Sequence, residues 1–284
     1  MKRLLVVLHL YYSTQLEYFI SKLSIINSVE WDLIVSGPGL DESVRKRFEQ
    51  FKPGCRFIDI DNKGYDVWPF IRTVKSIPDF SSYDFVLKLH TKNANLRPFR
   101  INGMRLKKYQ WRSLLVNAML KSPEQFKKCL RCLECGEVGM VCSRELVKRT
   151  SCGIAEDLSM LDNELTRLSL VSKKRVFCAG TMFISRTEPF LFLRDADITE
   201  EMFECVSESH SMGTMAHVYE RIFGIAVSAS GFRIKGVCSN FPLCALAVAS
   251  KCITPLIENV FAIKRIGEER RKYLILFGMK FALK

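Results

Sequence analysis

Strand-like and helix-like apolar patterns alternate through the first third of the chain, and few architectures accept that order. Residues 2–10 read as a buried strand on the short apolar run of 4–10, and residues 14–23 place Leu16, Phe19, Ile20 and Leu23 at helical spacing. Residues 31–35 read as a second strand closed by Gly37-Pro38-Gly39, and residues 43–51 as a charged helix ended by Pro53-Gly54. A third strand follows at 56–60, then a helix at 68–75 whose Pro69 sits in the first turn, where a missing N–H costs nothing. A fourth strand lies at 83–89. This alternation predicts an α/β fold, a mostly parallel sheet with helices on both faces, which binds ligands at the carboxyl ends of its strands.

The remainder reads as helices at 111–120, 122–135 and 156–168, strands at 138–142 and 176–184, a helix at 214–223 closed by Gly224, and a last strand at 225–234. With 284 residues and no repeat or linker, the expectation is one domain over 1–236 and a C-terminal extension over 237–284. Residues 263–284 mix Lys264, Arg265, Arg270, Arg271, Lys272, Lys280 and Lys284 with apolar side chains. They read as a basic amphipathic helix, lying either on anionic lipid or against the domain with a solvated basic face. No apolar run is long enough to span a bilayer. Met1-Lys2-Arg3 and the following apolar run imitate a signal peptide, but the run is short and meets Tyr11-Tyr12 without a small-residue cleavage site. The expected location is cytoplasmic, with a peripheral place on the inner face of the membrane as an option.

At 48% hydrophobic and 26% charged residues the chain is an ordinary globular one, not a disordered one. Its net charge of +13 reflects an anionic partner or a solvated basic surface. Nucleic acid is set aside, because aromatic residues are not interleaved with the basic clusters as a stacking platform requires. The 11 cysteines are odd in number in a chain far larger than disulfide scaffolds, so reduced thiols are expected. Cys129, Cys132 and Cys135 share one helix face but lack the second pair that a structural zinc site needs.

Four stretches carry chemistry. Asn62-Lys63-Gly64-Tyr65-Asp66 joins a strand to a helix start, where unpaired N–H groups, a permissive Gly64, and Asn62 and Asp66 could hold a base, ribose or sugar; equally, Asp66 could simply cap the helix. The strand exit Lys88-Leu89-His90-Thr91-Lys92 is cationic, suited to phosphate neutralisation or to a solvated basic loop. Ala179-Gly180-Thr181 puts a small pair inside an apolar strand, as a bulge, a ligand approach or mere packing. His217 and Glu220, three apart on a helix, offer a proton acceptor for an acceptor hydroxyl or a structural contact. Three of the four histidines, His9, His90 and His217, fall at strand ends or in these motifs, and His210 lies seven residues before His217.

Taken in order, His9-Leu10-Tyr11-Tyr12, Asn62-x-Gly64-x-Asp66 with Pro69-Phe70, Leu87 to Lys92, Trp111-Arg112, Ala179 to Phe183, and Gly213-Thr214 with His217 and Glu220-Arg221 resemble the rhamnan synthesis protein F family over residues 4–235. The resemblance implies a GT-A-like fold and transfer of a sugar, often rhamnose from a dTDP donor, to a cell-surface or lipid-linked glycan. One position departs from the family pattern: Met212 stands where an acidic residue is usual, which leaves Glu208, His210 and Glu220 as substitutes for a base.

The expected mechanism places a nucleotide-diphosphate sugar against His9, Tyr11, Asn62, Gly64, Asp66, Lys88, His90 and Lys92. The acceptor or sugar lies near Trp111, Arg112, Gly180 and Thr181, and His217, Glu220 or Asp66 serves catalysis. A divalent metal (Mg or Mn) is compatible with the motif but not required, since an acidic metal-binding pair at the strand exit is replaced by cations. The alternative is a non-catalytic polysaccharide-assembly protein that keeps the fold and binds a glycan.

Overall fold

The computed structural model describes residues 2–93, 99–101, 104–150, 155–205, 214–239, 245, 249, 260–266 and 271–282. The chain starts with β1 (Arg3–His9), α1 (Leu16–Leu23), β2 (Glu30–Gly37), α2 (Glu42–Phe51), β3 (Arg56–Asp59), α3 (Val67–Ser76) and β4 (Phe85–His90). A small hairpin, β5 (Phe99–Ile101) with β6 (Met104–Leu106), precedes the helices α4 (Gln110–Leu120) and α5 (Pro123–Glu134). There follow β7 (Val138–Ser143), β8 (Val147–Arg149), α6 (Ala155–Arg167), β9 (Val176–Cys178), β10 (Phe183–Arg186), α7 (Phe192–Asp195), α8 (Met215–Ala229) and β11 (Arg233–Val237). Beyond them lie β12 (Phe261–Ile266), β13 (Arg271–Leu276) and β14 (Met279–Ala282).

Seven strands form the main sheet in the order β11-β7-β10-β4-β1-β2-β3. All neighbours run parallel except β10, which is antiparallel to both β4 and β7. Every residue of β4 and of β7 is buried, so both faces of the sheet are covered, which explains their near-continuous apolar sequence. Helices α4 and α5 pack on β7 and β10, α3 packs on β1 and β2, and α8 packs on β9 and β11. Between sheet and helices, Phe70, Phe183, Phe190 and Phe223 meet mostly edge to face at centroid distances of 5.3–6.3 Å, with Phe183 and Phe190 stacked at 5.5 Å. Helix starts follow the sequence signals: Asp41 accepts from the Val44 N–H, and Ser122, followed by Pro123, accepts from Gln125.

Three expectations are corrected. The helix expected to stop at Gly224 runs through it to Ala229, and the last strand begins only at Arg233. Gly224 is not a stop signal but a point of close packing: a Cβ there would lie 2.3 Å from the Val176 carbonyl oxygen and 2.5 Å from Phe177 Cα. The single strand expected over 176–184 is two, β9 pairing with β8 in a ribbon of its own and β10 entering the main sheet, because Gly180 and Thr181 turn between them at φ 87° and 47°. The helix expected in the C-terminal extension is, over its described residues, the antiparallel meander β12-β13-β14. Tyr273-Leu274-Ile275-Leu276 favours a strand, and Phe277-Gly278, both at positive φ, closes a two-residue hairpin turn.

Cys129 and Cys132 point into the core while Cys135 is exposed at the end of α5, and the described cysteines are free thiols.

Candidate functional site

The strand order reverses at β1: β2 and β3 lie on one side of it and β4 on the other. In an open parallel sheet the crevice outside such a reversal is where ligands bind. His9 and His90 are register partners at the carboxyl ends of β1 and β4, and the backbone N–H groups of Tyr11 and Tyr12 both donate to Thr91 Oγ1 at 3.1 Å. The two strand exits are thereby fixed to each other. At the rim, Asn62 Nδ2 donates to the Tyr11 hydroxyl at 3.2 Å, which brings the first two motifs together.

Asp66 precedes α3, yet its side chain makes no capping bond to the helix. Instead its Oδ2 accepts from Lys88 Nζ at 2.5 Å and from Thr181 Oγ1, and lies 3.3 Å from His90 Nδ1. Lys88 Nζ also donates to the Thr181 carbonyl and hydroxyl oxygens at 3.1 Å each, so its three protons are all engaged within the protein. Burial alone would raise the Asp66 carboxyl; the charges around it, His90, Lys88 and Lys92, overcome burial and hold it well below the usual carboxylate range. His90 is itself pushed well below the ordinary imidazole range by burial, so near neutrality Lys88 and Lys92 are the cations that keep Asp66 ionised. Among the described residues neither ring nitrogen of His90 is aligned for a hydrogen bond. His9, held by Ser36 Oγ at 3.2 Å, is lowered to about 4, mainly by burial.

The two loops that meet at Asp66 both use left-handed backbone. Gly64 and Tyr65 stand at φ 59° and 55°, Gly180 and Thr181 at φ 87° and 47°. A β-branched threonine in that region is strained and persists only where its surroundings over-determine it, a pattern concentrated at functional sites. Gly64 serves packing as well: its N–H donates to the Glu204 carbonyl, and a Cβ would come within 2.8 Å of Phe203 and Trp68.

Lys92 is the less deeply buried cation of this exit, where Lys88 is fully enclosed. Its ammonium lies 4.2 Å from the Trp111 ring centroid, its pKa is lowered by burial against the pull of Asp66 and Glu220, and among the described residues Nζ donates no hydrogen bond. Its backbone is gripped by Gln15, whose Nε2 donates to the Lys92 carbonyl at 2.7 Å. Arg112 in turn donates to Gln15 Oε1 at 2.9 Å and lies over the rings of Tyr18 and Tyr109 at 3.5 and 4.1 Å. Arg112 is therefore buried behind the site and acts on it through Gln15.

Helix α8 closes the site from the other side. Glu220 Oε1 accepts the Gly180 N–H at 2.6 Å, which fixes the turn that presents Thr181. His217 Nδ1 shares a hydrogen bond with Thr214 Oγ1 at 2.8 Å, and its ring lies 6.1 Å from that of Tyr65. Glu208, His210, Met212 and Gly213 fall outside the described residues. Among the described residues no group of three or more His, Cys, Asp or Glu side chains converges as a metal site.

The family model for rhamnan synthesis protein F matches residues 1–232. The chain belongs to this family. All the site residues named above lie inside the match, and β12 to β14 lie outside it. Two Xanthomonas campestris pv. campestris proteins, each named uncharacterized protein WxcX, are 28% and 27% identical over 180 residues. These stretches are 62% of this chain and 24% of each relative, so the chain matches about a quarter of the length of those curated proteins. Among solved structures, a mycobacterial protein shares 16% identity at a TM-score of 0.40, over 98% of this chain and 85% of that one. A Desulfovibrio desulfuricans G20 protein, provisionally described as a nucleotide-diphospho-sugar transferase, shares 10% identity at a TM-score of 0.35, over 91% and 98%.

Within the rhamnan synthesis protein F match, four site contributors were not singled out in the sequence: Gln15, Ser36, Thr91 and Tyr65. Thr91 sits inside a motif that drew notice for its charges, and Tyr65 inside one noticed for Gly64 and Asp66. Gln15 and Ser36 carry no local signal, because their partners Lys92 and His9 are 77 and 27 positions away.

Proposed function

We propose that the crevice at the carboxyl ends of β1 and β4 holds a nucleotide-diphosphate sugar and that the protein transfers the sugar to a glycan or lipid-linked glycan, working in a GT-A-like fold at the cytoplasmic face of a membrane. Rhamnose is the sugar the family points to. The observation that carries the reading is the position of the polar cluster: Asp66, Lys88, His90, Lys92 and Thr181 meet at the point where the strand order reverses. Membership of the rhamnan synthesis protein F family supports it.

In this reading Tyr11 and Asn62 border the nucleoside, and Lys92 meets the diphosphate, with its ammonium steadied by Trp111. Lys88 and Thr181 hold Asp66 in place, and His9 and His90 line the floor as neutral imidazoles. His217 takes the proton of the acceptor hydroxyl, since Glu220 is committed to the Gly180 N–H. The residues described do not fit a divalent metal: the carboxylate of Asp66 is already ion-paired with Lys88 and faces Lys92, and among the described residues it joins no group of three or more His, Cys, Asp or Glu side chains.

Thermal melts of the purified chain with a panel of nucleotides and nucleotide sugars, with magnesium or manganese and again with chelator, test this. Stabilisation by one nucleotide class, lost in Lys92→Ala, is expected. No response in a folded sample, or a response fully retained in Lys92→Ala, rejects the donor site. Binding without turnover of any acceptor leaves a glycan-assembly protein that binds but does not transfer.

A further inference from the structure

The hairpin of β13 and β14 carries apolar side chains on both faces. Its register sets Phe261, Leu276 and Met279 abreast on one face with Leu274 and Phe281 beside them, while Ile275 alternates to the other. Ile275 is buried at 7%, but Phe261, Met279 and Phe281 are 57%, 58% and 47% exposed. An antiparallel sheet with one covered face ordinarily turns polar side chains outward on the other. Here the open face is apolar, and the apex adds Phe277, 77% exposed in the turn. Clustered exposed apolar surface of this kind marks an interaction site. Lys272 lies on that same face in line with Leu274 and Leu276, while Lys280, the register partner of Ile275, belongs to the opposite face; both lysines are exposed.

We propose that this face docks on an anionic lipid surface, with Phe277 leading, Phe261, Met279 and Phe281 entering the headgroup boundary, and Lys272 meeting lipid phosphates. An exposed apolar apex with Lys272 on the same face suits an interface that is apolar inside and anionic outside, and the net charge of +13 favours the same partner. The lysine stem is long enough to follow apolar side chains inward while its ammonium stays at the headgroups. The inference deepens the membrane placement in the reading above and rests on it, but it is read out by binding alone.

The test is sedimentation of the full chain with vesicles of phosphatidylcholine alone or mixed with phosphatidylglycerol. The chain is expected to pellet with the mixed vesicles and little with phosphatidylcholine. Lys272→Glu should weaken binding about fivefold or more. Phe277→Ser combined with Phe281→Ser should weaken it by about tenfold or more, with circular dichroism and melting unchanged. A folded chain that pellets with neither vesicle, or a double phenylalanine variant that binds like wild type, overturns the proposal. So does a dimer seen by light scattering that the double variant dissociates, because a second copy then covers the face. Vesicle binding without sugar transfer rejects the transferase alone, and transfer without vesicle binding rejects the docking face alone.

Discussion

Lys88 and Asp66 form an ion pair at 2.5 Å in which Lys88 is only 1% exposed, and Thr181 bonds to both partners. Three segments distant in sequence are thus locked around one charge pair. Removing one partner of such a pair leaves an uncompensated buried charge, which costs far more than the pair itself contributes.

Lys88→Met is therefore expected to destabilise the fold by about 3–5 kcal/mol. Asp66→Asn should cost a comparable amount, since it leaves the Lys88 ammonium in the core without a counter-charge. Denaturant melts of the single variants and of the double variant Lys88→Met/Asp66→Asn check this: the double should lose less than the sum of the singles. Additive losses would show that the pair is not coupled.

His9 makes stability fall on the acid side. Its folded pKa of about 4 lies below the 6.5 of a free imidazole, so between those values the unfolded chain takes up the proton first. The neutral histidine's contribution is complete above pH 6.5 and is lost as pH falls to 4, by about 3 kcal/mol in all. Urea titrations across that range should show the slope in wild type and a flatter profile in His9→Gln.

Gly224→Ala sets two effects against each other. Alanine in a helix interior gains up to about 1 kcal/mol over glycine. The added methyl would lie 2.3 Å from the Val176 carbonyl oxygen and must push backbone apart, which costs about 1–3 kcal/mol or more. A lower melting temperature is expected, where Gly231→Ala, with open space around it but φ 83°, tests strain without crowding.

Lys92 and Gln15 should separate binding from folding. Loss of a hydrogen bond to a charged group is worth about 1.5–3 kcal/mol, so Lys92→Ala is expected to weaken nucleotide-diphosphate binding by about ten- to a hundredfold. Gln15→Ala frees the Lys92 backbone and should weaken the same ligand by a smaller factor, while Gln15→Glu adds a carboxylate that Arg112 can hold. Calorimetric titration of each variant, beside its melting curve, distinguishes the two effects.

The first four strands were legible because each alternates with an amphipathic helix, and local pattern suffices to place them. The carboxyl-end location of the site follows from that architecture, and so do the positions of Asn62, Asp66 and the Lys88 to Lys92 exit. Pairing was not legible. Nothing near Asp66 tells whether it caps α3 or turns to Lys88, since the deciding partner is Thr181, 115 positions away. Arg112 was expected near the acceptor or sugar through the Trp111-Arg112 pair of the family resemblance, and the sequence held no sign that the rings of Tyr18 and Tyr109 would flank its guanidinium. At the C-terminus, mixed basic and apolar residues fit a helical or an extended pattern equally, and the Phe277-Gly278 turn decides.

The reversed direction of β10 governs the order in which this site can be assembled. Because the strand runs opposite to β4, it delivers its starting end, with Thr181, to the place where its neighbours deliver their finishing ends. Asp66 and Lys88 are both synthesised early, but they lack their shared hydroxyl until the chain has grown past β9 and reached the turn before β10. A ribosome-bound fragment carrying only the first four strands would hold the cations and the carboxylate without the group that sets their spacing. Ligand binding by a nascent chain would thus report that the second half of the sheet has joined the first.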